Sequence, residues 1–262
     1  MDWLKRERPK VTTVISATRG NHGQSIAFAA TKHGLHPVVV VPTGNSREKN
    51  QAMRALGAEL IEVGEDFQAA SEHASQLATA HGWHRIPSYD MRLVAGVATY
   101  ALEFLQAAPL METVYVPIGM GSGISGMIAV RDALRLPTKI VGVVSSHAPA
   151  TAMSFAARHV LEHSAATAIA DGVACRKPDE TALGVMLAGV ERIVQVDDAE
   201  VEDAMRLYFS ATHNVAEGAG AIGLAALLQD RAPGGARVGT VLCGGNVDSD
   251  VFARVLAAAH DA

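Results

Sequence analysis

Three glycine-containing segments carry the amides and side chains that could bind a small anionic ligand. The first, Ser16–Ser25, reads Gly-Asn-His-Gly at 20–23 and lies between a β-like run, Val11–Ile15, and a run of helical character. A strand, a tight turn and a helix start bring free backbone N–H groups together, and the helix dipole favours negative charge there. The segment therefore predicts an anion site. A plain turn with a polar cap gives the same spacing, and the GxGxxG dinucleotide motif is absent.

The second and third segments are also rich in glycine and follow β-like runs. The second, Gly119–Gly126, comes after Val114–Val116, and its alternating glycines let backbone N–H groups form a nest for a phosphate dianion. A glycine-rich hinge would have the same composition. The third reads Cys-Gly-Gly-Asn at 243–246, where the cysteine is either a ligand-binding thiol or a structural residue.

Together these segments resemble the serine/threonine dehydratase family, which are pyridoxal-phosphate (PLP) enzymes of the tryptophan-synthase-β-like fold type II. Thr18–Gln24 resembles the family's Ser-x-Gly-Asn-His-(Gly/Ala)-Gln loop, and Leu242–Asp248 resembles its Leu-Ser-Gly-Gly-Asn-(Ile/Val)-Asp segment. Ala170–Ala174 is similar to its Ala-Asp-Gly segment, and Asn214–Gly220 to its Glu-(Pro/Gly)-(Ser/Ala)-Gly segment. The resemblance implies PLP as the cofactor.

The resemblance also implies a role for individual residues. Asn21 would hydrogen-bond the ring hydroxyl of PLP, Cys243 its pyridine nitrogen, and Glu217 would lie near the ring or the substrate. The residues expected to hold the cofactor phosphate are Gly119, Met120, Gly121, Ser122 and Gly123. The residues expected to hold the substrate carboxylate are Thr18, Arg19, Gly20, Asn21 and His22.

Two positions depart from the family pattern. Arg19 stands where the family usually has a small residue, which in serine racemases is an acid/base serine, so racemisation is disfavoured because a guanidinium stays protonated. Arg19 could instead pair with a substrate carboxylate or point to solvent. The stretch Val143–Ala150 lacks the two carboxylates with which some members bind a divalent metal, so no metal is expected.

The family's Schiff-base lysine has no counterpart in this chain. That lysine belongs to a Ser-Phe-Lys-x-Arg-Gly segment upstream of the Asn-His loop, and no such segment occurs here. The chain's lysines are Lys5, Lys10, Lys32, Lys49, Lys139 and Lys177. We therefore identify no catalytic residue and expect a chain truncated at its N-terminus relative to a complete family member.

Composition places the chain among ordinary globular proteins. Of its 262 residues, 49% are hydrophobic and 19% charged, and the formal net charge is −5. This charge gives no reason to expect nucleic acid or an anionic membrane as a partner. With two distant cysteines, a charged N-terminus and no long apolar run, the expected location is the cytoplasm. The expected partners are a small hydroxy amino acid as substrate and further copies of the chain in a homo-oligomer.

The elements that must position these segments alternate between β and α patterns, which predicts an α/β fold of two open, mainly parallel sheet domains. We predict a small domain at 12–106 and a large one formed by 1–11 and 107–262. The irregular stretch 147–190 would lie on the outside. Strands are predicted at 11–16, 37–41, 59–63, 113–117, 139–144, 192–196 and 237–242. Helices are predicted at 22–33, 46–56, 66–81, 91–107, 123–135, 198–212, 219–229 and 249–260.

The resemblance implies a threonine or serine ammonia-lyase that forms a 2-oxo acid and ammonia by α,β-elimination. Three alternatives stay open. The chain could be a non-catalytic PLP-binding fragment or pseudoenzyme, since the lysine is absent. It could be another β-eliminating PLP enzyme, such as a hydroxyaspartate lyase, for which Arg19 is the hint. A nicotinamide-dependent oxidoreductase is the option with different chemistry, and the missing dinucleotide motif weighs against it.

Overall fold

The computed structural model describes residues 1–231 and 235–258 of the chain. They fall into two compact units, each built on a four-stranded parallel sheet. The first unit comprises Met1–Ser88 and Asn246–Phe252, and the second comprises Tyr89–Gly245 and the chain from Ala253 onward. The predicted α/β class with parallel sheets is confirmed.

The sheet of the first unit has the order β3-β2-β1-β4. Its strands are β1 (Thr13–Ala17), β2 (His36–Val41), β3 (Glu59–Glu62) and β4 (His84–Arg85). Its helices are α1 (Asp2–Glu7), α2 (Asn21–Lys32), α3 (Arg47–Ala55) and α4 (Phe67–His81). The four valines of β2, 38–41, are fully buried, because a central parallel strand is covered on both faces.

The sheet of the second unit has the order β7-β6-β5-β8. Its strands are β5 (Thr113–Pro117), β6 (Lys139–Ser145), β7 (Arg192–Val196) and β8 (Val238–Thr240). Its helices are α5 (Met91–Ala107), α6 (Ser122–Ala133), α7 (Ala150–Ala157), α8 (Glu180–Gly189), α9 (Asp198–Thr212) and α10 (Gly218–Asp230). A 3₁₀ turn, Asp171–Val173, precedes α8, and α11 (Ser249–Ala257) begins within the stretch assigned to the first unit.

Short polar residues begin several of these helices. The side chains of Ser46, Asp66, Asp179 and Asp197 each accept an N–H of the following first turn. At α9 the capping box is complete, since Glu200 also accepts the backbone N–H of Asp197. These caps fix where each helix starts relative to the strand before it.

The division into units differs from the division predicted from the sequence. Helix α5 belongs to the second unit, because it packs along α6, whereas the sequence placed 89–106 with the first domain. Residues 1–11 belong to the first unit, where Leu4 is buried against Val14 and Ile26. The predicted helix 249–260 ends at Ala257, and its residues after 258 lie outside the described part of the chain.

Among the described residues, no helix combines the length and apolar character that crossing a membrane requires.

Candidate functional site

The Asn-His loop of the first unit is organised by a buried threonine. Thr18, which is 3% exposed, directly follows β1, and its Oγ1 accepts the N–H groups of Gly20 at 2.9 Å and Gly23 at 3.2 Å. The backbone N–H of Thr18 in turn donates to the carbonyl of Val40 at the end of β2. The loop is thus tied to the sheet at the point where α2 begins.

Two glycines of this loop leave room that neighbouring side chains fill. A Cβ on Gly20 would come within 2.5 Å of Lys49 Cδ, and a Cβ on Gly23 within 2.5 Å of both Met53 Sδ and Thr18 Cγ2. Lys49 is only 6% exposed, so its aliphatic chain packs under the loop. The sequence analysis named Lys49 but did not predict this packing role. Its spacing of four residues from the buried Met53 was the available signal, because it places both on one face of α3.

His22 is held as a neutral imidazole. Its Nε2 lies 3.0 Å from Ser16 Oγ, and that hydroxyl donates to the carbonyl of Ile86 at 2.8 Å. Because the Ser16 proton is used, the hydrogen-bond network assigns the imidazole proton to Nε2, which donates to Ser16. Burial lowers the pKa of His22 to about 4, so the ring is uncharged near neutral pH.

Asn246, the last residue of the third glycine segment, lies in the first unit together with the Asn-His loop. Asn246 Nδ2 donates to Asn21 Oδ1, and so orients the Asn21 amide at the start of α2. Two residues later, Asp248 accepts the hydroxyl proton of Ser46 and a backbone N–H from Glu48. The chain therefore returns after 225 residues to pair Asn246 with Asn21, the residue for which the sequence predicts the ring-hydroxyl contact.

The Gly119–Gly123 loop of the second unit precedes the N-terminus of α6. Gly121 caps that helix in the left-handed region, with φ +102°, where residues bearing a Cβ are strained. A Cβ on Gly119 would lie 2.7 Å from the carbonyl oxygen of Gly172, and one on Gly121 would lie 2.8 Å from the Cβ of Ala182. These glycines therefore form a closely packed cradle at the positive end of α6, where backbone N–H groups suit a phosphate group.

Cys243 lies at the end of the second unit's sheet with two tyrosines in electrostatic reach. The thiol donates to the carbonyl of Ala219 at 3.7 Å. Although Cys243 is exposed, the surrounding protein raises its pKa to about 11, mainly by displacing water and further through the charge of Glu217. Burial is the main cause, and the charge of Cys243 the second, of a raised pKa at both tyrosines. The pKa of Tyr208 rises to about 12, and that of Tyr100 is also raised. The thiol is therefore neutral near pH 7.

Tyr100 connects this cysteine with the glycine cradle. Its hydroxyl donates to the carbonyl of Gly123 at 2.9 Å, while its pKa responds to Cys243. Tyr100 therefore hydrogen-bonds Gly123, which is expected at the cofactor phosphate, and interacts electrostatically with Cys243, which is expected at the ring nitrogen. Sequence reasoning missed Tyr100, which stands inside the amphipathic pattern of α5 and has no motif of its own.

The start of α10 packs tightly against the Cys243 segment. Glu217 is 3% exposed, and its backbone N–H donates to the carbonyl of Gly244 at 3.1 Å. A Cβ on Gly220 would lie only 2.2 Å from that same carbonyl oxygen. This close backbone approach fixes the position of the Cys243 segment and explains why residue 220 is a glycine.

The residues present fit PLP, as a cradle for its phosphate and a neutral thiol for its ring nitrogen. Each unit contains some of the residues that the sequence analysis expects to bind the cofactor or the substrate. The first holds the substrate-binding candidates, 18–22, and the second holds 119–123, Glu217 and Cys243. In the described part of the chain, no three His, Cys, Asp or Glu residues are grouped so as to hold a metal ion.

Comparison with known proteins identifies close relatives for almost the whole chain. The family model for pyridoxal-phosphate dependent enzymes matches residues 1–244. An L-threonine ammonia-lyase from Thermotoga maritima is 31% identical over 251 residues, covering 95% of this chain and 63% of that protein. The chain therefore spans somewhat less than two thirds of this relative.

Solved structures give the same picture of the fold. A pyridoxal 5'-phosphate-dependent aspartate racemase superposes with a TM-score of 0.88 and 27% identity, over 95% of this chain and 78% of that one. The processed form of threonine deaminase isoform 2 from Solanum lycopersicum superposes with a TM-score of 0.88 and 26% identity. That match covers 97% of this chain and 76% of the deaminase.

Proposed function

The chain belongs to the pyridoxal-phosphate dependent enzyme family, and we propose that within it the protein serves as an ammonia-lyase of 3-hydroxy amino acids, with threonine or serine as substrate. The observation that carries the proposal is the glycine cradle at the start of α6, where a Cβ on Gly119 or Gly121 would collide with residues of other segments of the same chain. The names of the ammonia-lyase and deaminase relatives support the reaction type.

When bound, PLP would withdraw electrons from the Cα of an amino acid, so that the α-proton and the β-hydroxyl can be eliminated. The chain's own residues would bind and orient. Amides of the cradle and the dipole of α6 would hold the phosphate. The neutral Cys243 thiol would face the ring nitrogen without protonating it, and Asn21, oriented by Asn246, would contact the ring hydroxyl. The Asn-His loop, held by Thr18, would bind the substrate carboxylate.

We further propose that this chain of 262 residues binds PLP mainly through these non-covalent contacts. None of its six lysines stands in a Ser-Phe-Lys-x-Arg-Gly segment. Lys49 contributes its aliphatic chain to the packing under Gly20. A lysine normally takes the α-proton and exchanges the bound amine in such enzymes, so turnover by this chain alone should be very low.

The test is a titration of the purified chain with PLP, followed by visible absorption, borohydride reduction and peptide mapping by mass spectrometry. We expect saturable binding of one PLP and no single lysine that is modified stoichiometrically. Asn21→Ala should weaken binding, whereas Gln76→Ala, which removes an exposed amide on α4, should not. Absence of saturable binding would refute the cofactor site. A stoichiometric adduct on one lysine would refute the non-covalent mode.

A further inference from the structure

Arg19 is a cation of the Asn-His loop that has no anionic partner in the described parts of the chain. It stands between Thr18, which is tied to the sheet, and Gly20, where α2 begins. Its Nε is withdrawn from solvent and has no hydrogen-bond acceptor there. A guanidinium is always protonated and presents five N–H donors, so this head group calls for an acceptor-rich partner.

A second donor at the same helix end is also unsatisfied. Gln24 lies in the first turn of α2, and its Nε2 is likewise buried without an acceptor among the residues that the structure describes. Two acceptors of the loop are already engaged by backbone N–H groups. Thr18 Oγ1 takes the N–H groups of Gly20 and Gly23, and the Gly20 carbonyl takes the backbone N–H of Gln24.

Arg206 is an arginine of the same protein whose terminal nitrogens do have partners, and it serves as a comparison. Its Nε is also buried without an acceptor among the described residues, yet its terminal nitrogens donate to the carbonyl of Val255 and to Asp203. An unsatisfied Nε therefore does not by itself indicate a ligand. Arg19 differs because no nitrogen of its head group donates to an acceptor in the described structure, and because Gln24, in the first turn of the helix that follows, also has a buried nitrogen without an acceptor there.

We propose that Arg19, assisted by Gln24, binds a second carboxylate of the substrate, so that among 3-hydroxy amino acids a dicarboxylic one such as 3-hydroxyaspartate is preferred over threonine and serine. The inference rests on the proposed function, in which the loop amides already hold the α-carboxylate. A carboxylate on Cβ offers four lone-pair positions and accepts the guanidinium fork and an amide together. The methyl group of threonine and the hydrogen of serine offer none.

The reaction needs no added oxidant or reductant. The Cα–H bond and the Cβ–O bond break, and the proton and hydroxyl leave as water. The resulting enamine shifts a proton to Cβ and becomes an imine, and water then hydrolyses its C=N bond. The products are a 2-oxo dicarboxylic acid and ammonia, which together have the elemental composition of the substrate, because one water is released and one is consumed.

Calorimetric titration of the full chain, saturated with PLP, with succinate and with butyrate tests this subsite. Both ligands have four carbons and no amine, so neither condenses with the cofactor, and they differ in the second carboxylate. We expect roughly tenfold tighter binding of succinate, as a charge-assisted bidentate contact gives. Arg19→Ser should bring the two affinities within about twofold of each other, while Arg6→Ser, which removes an exposed cation of the first unit, should keep the preference.

The ratio of the wild-type affinities for succinate and butyrate tests the proposed subsite even if a variant folds poorly. Equal affinities for the two ligands, or no binding of either, would overturn the inference, and so would a folded Arg19→Ser variant that keeps the preference. Arg19→Lys should retain only part of the preference, because an ammonium cannot form the fork. Saturable PLP binding without a succinate preference would refute this subsite alone, whereas failure to bind PLP would refute the proposed function.

Discussion

At the scale of single residues, the hydroxyl oxygen of Thr18 stabilises the conformation of the Asn-His loop. It is the acceptor for two backbone N–H groups, those of Gly20 and Gly23, in a buried setting. Thr18→Ala should lower the free energy of unfolding by about 1–3 kcal/mol, because it leaves buried donors without an acceptor. Thr18→Ser keeps the oxygen and should lose less than half as much. Urea unfolding of the two variants checks this, and equal losses would show that the methyl group rather than the oxygen matters.

A second residue-scale prediction concerns pH. Folding lowers the pKa of His22 from 6.5 to about 4, so the unfolded chain binds more protons between these values. The His22 contribution to stability is therefore fully present above pH 6.5 and is lost as the pH falls toward 4, by about 1–3 kcal/mol. His22→Gln keeps an N–H for Ser16 but cannot titrate. Its unfolding free energy should fall less than that of the wild type between pH 6.5 and 4, and parallel curves would contradict the prediction.

At the scale of elements, the sequence was sufficient where burial imposes a pattern. The apolar run of β2 and the Asp197 cap of α9 mark elements that the structure contains at those positions. Strand β4 was missed because it has two residues, which join the sheet by backbone pairing with β1 and carry no side-chain pattern. Helix α8 was also missed, although its Asp179 cap before an apolar run was a usable signal.

The candidate site also has features that the sequence predicts and features that only the folded structure reveals. Its glycines and asparagines were identified because their spacing is local, and the prediction of their roles stays a prediction. The pairing of Asn246 with Asn21 joins residues 225 positions apart, and the link from Gly123 through Tyr100 toward Cys243 depends on how helices pack. Neither leaves a periodic trace in the sequence. The unsatisfied Arg19 Nε is similarly a property of the folded chain.

Two helical glycines give an element-scale prediction with opposite signs. At Gly220 in α10, a Cβ would lie 2.2 Å from the carbonyl oxygen of Gly244, so Gly220→Ala should destabilise the fold by about 1–3 kcal/mol as the Cys243 segment moves. At Gly184 in α8, nothing lies within 4 Å, so Gly184→Ala should stabilise it by about 0.5–1 kcal/mol. Thermal unfolding of both variants measures this. Equal effects would show that helix propensity, and not backbone contact, decides both sites.

At the scale of the whole molecule, cofactor binding should appear as stability. A ligand that binds only the folded chain adds about 2.7 kcal/mol when it is present at a hundred times its dissociation constant. PLP should therefore raise Tm, whereas pyridoxal, which lacks the phosphate, should raise it much less at the same concentration. Gly121→Val places a β-branched residue at φ +102° in the cradle and should remove most of the difference between the two ligands. If pyridoxal stabilises the chain as much as PLP does, the energy of binding comes from the ring, and the Gly119–Gly123 loop is a hinge and not a phosphate site.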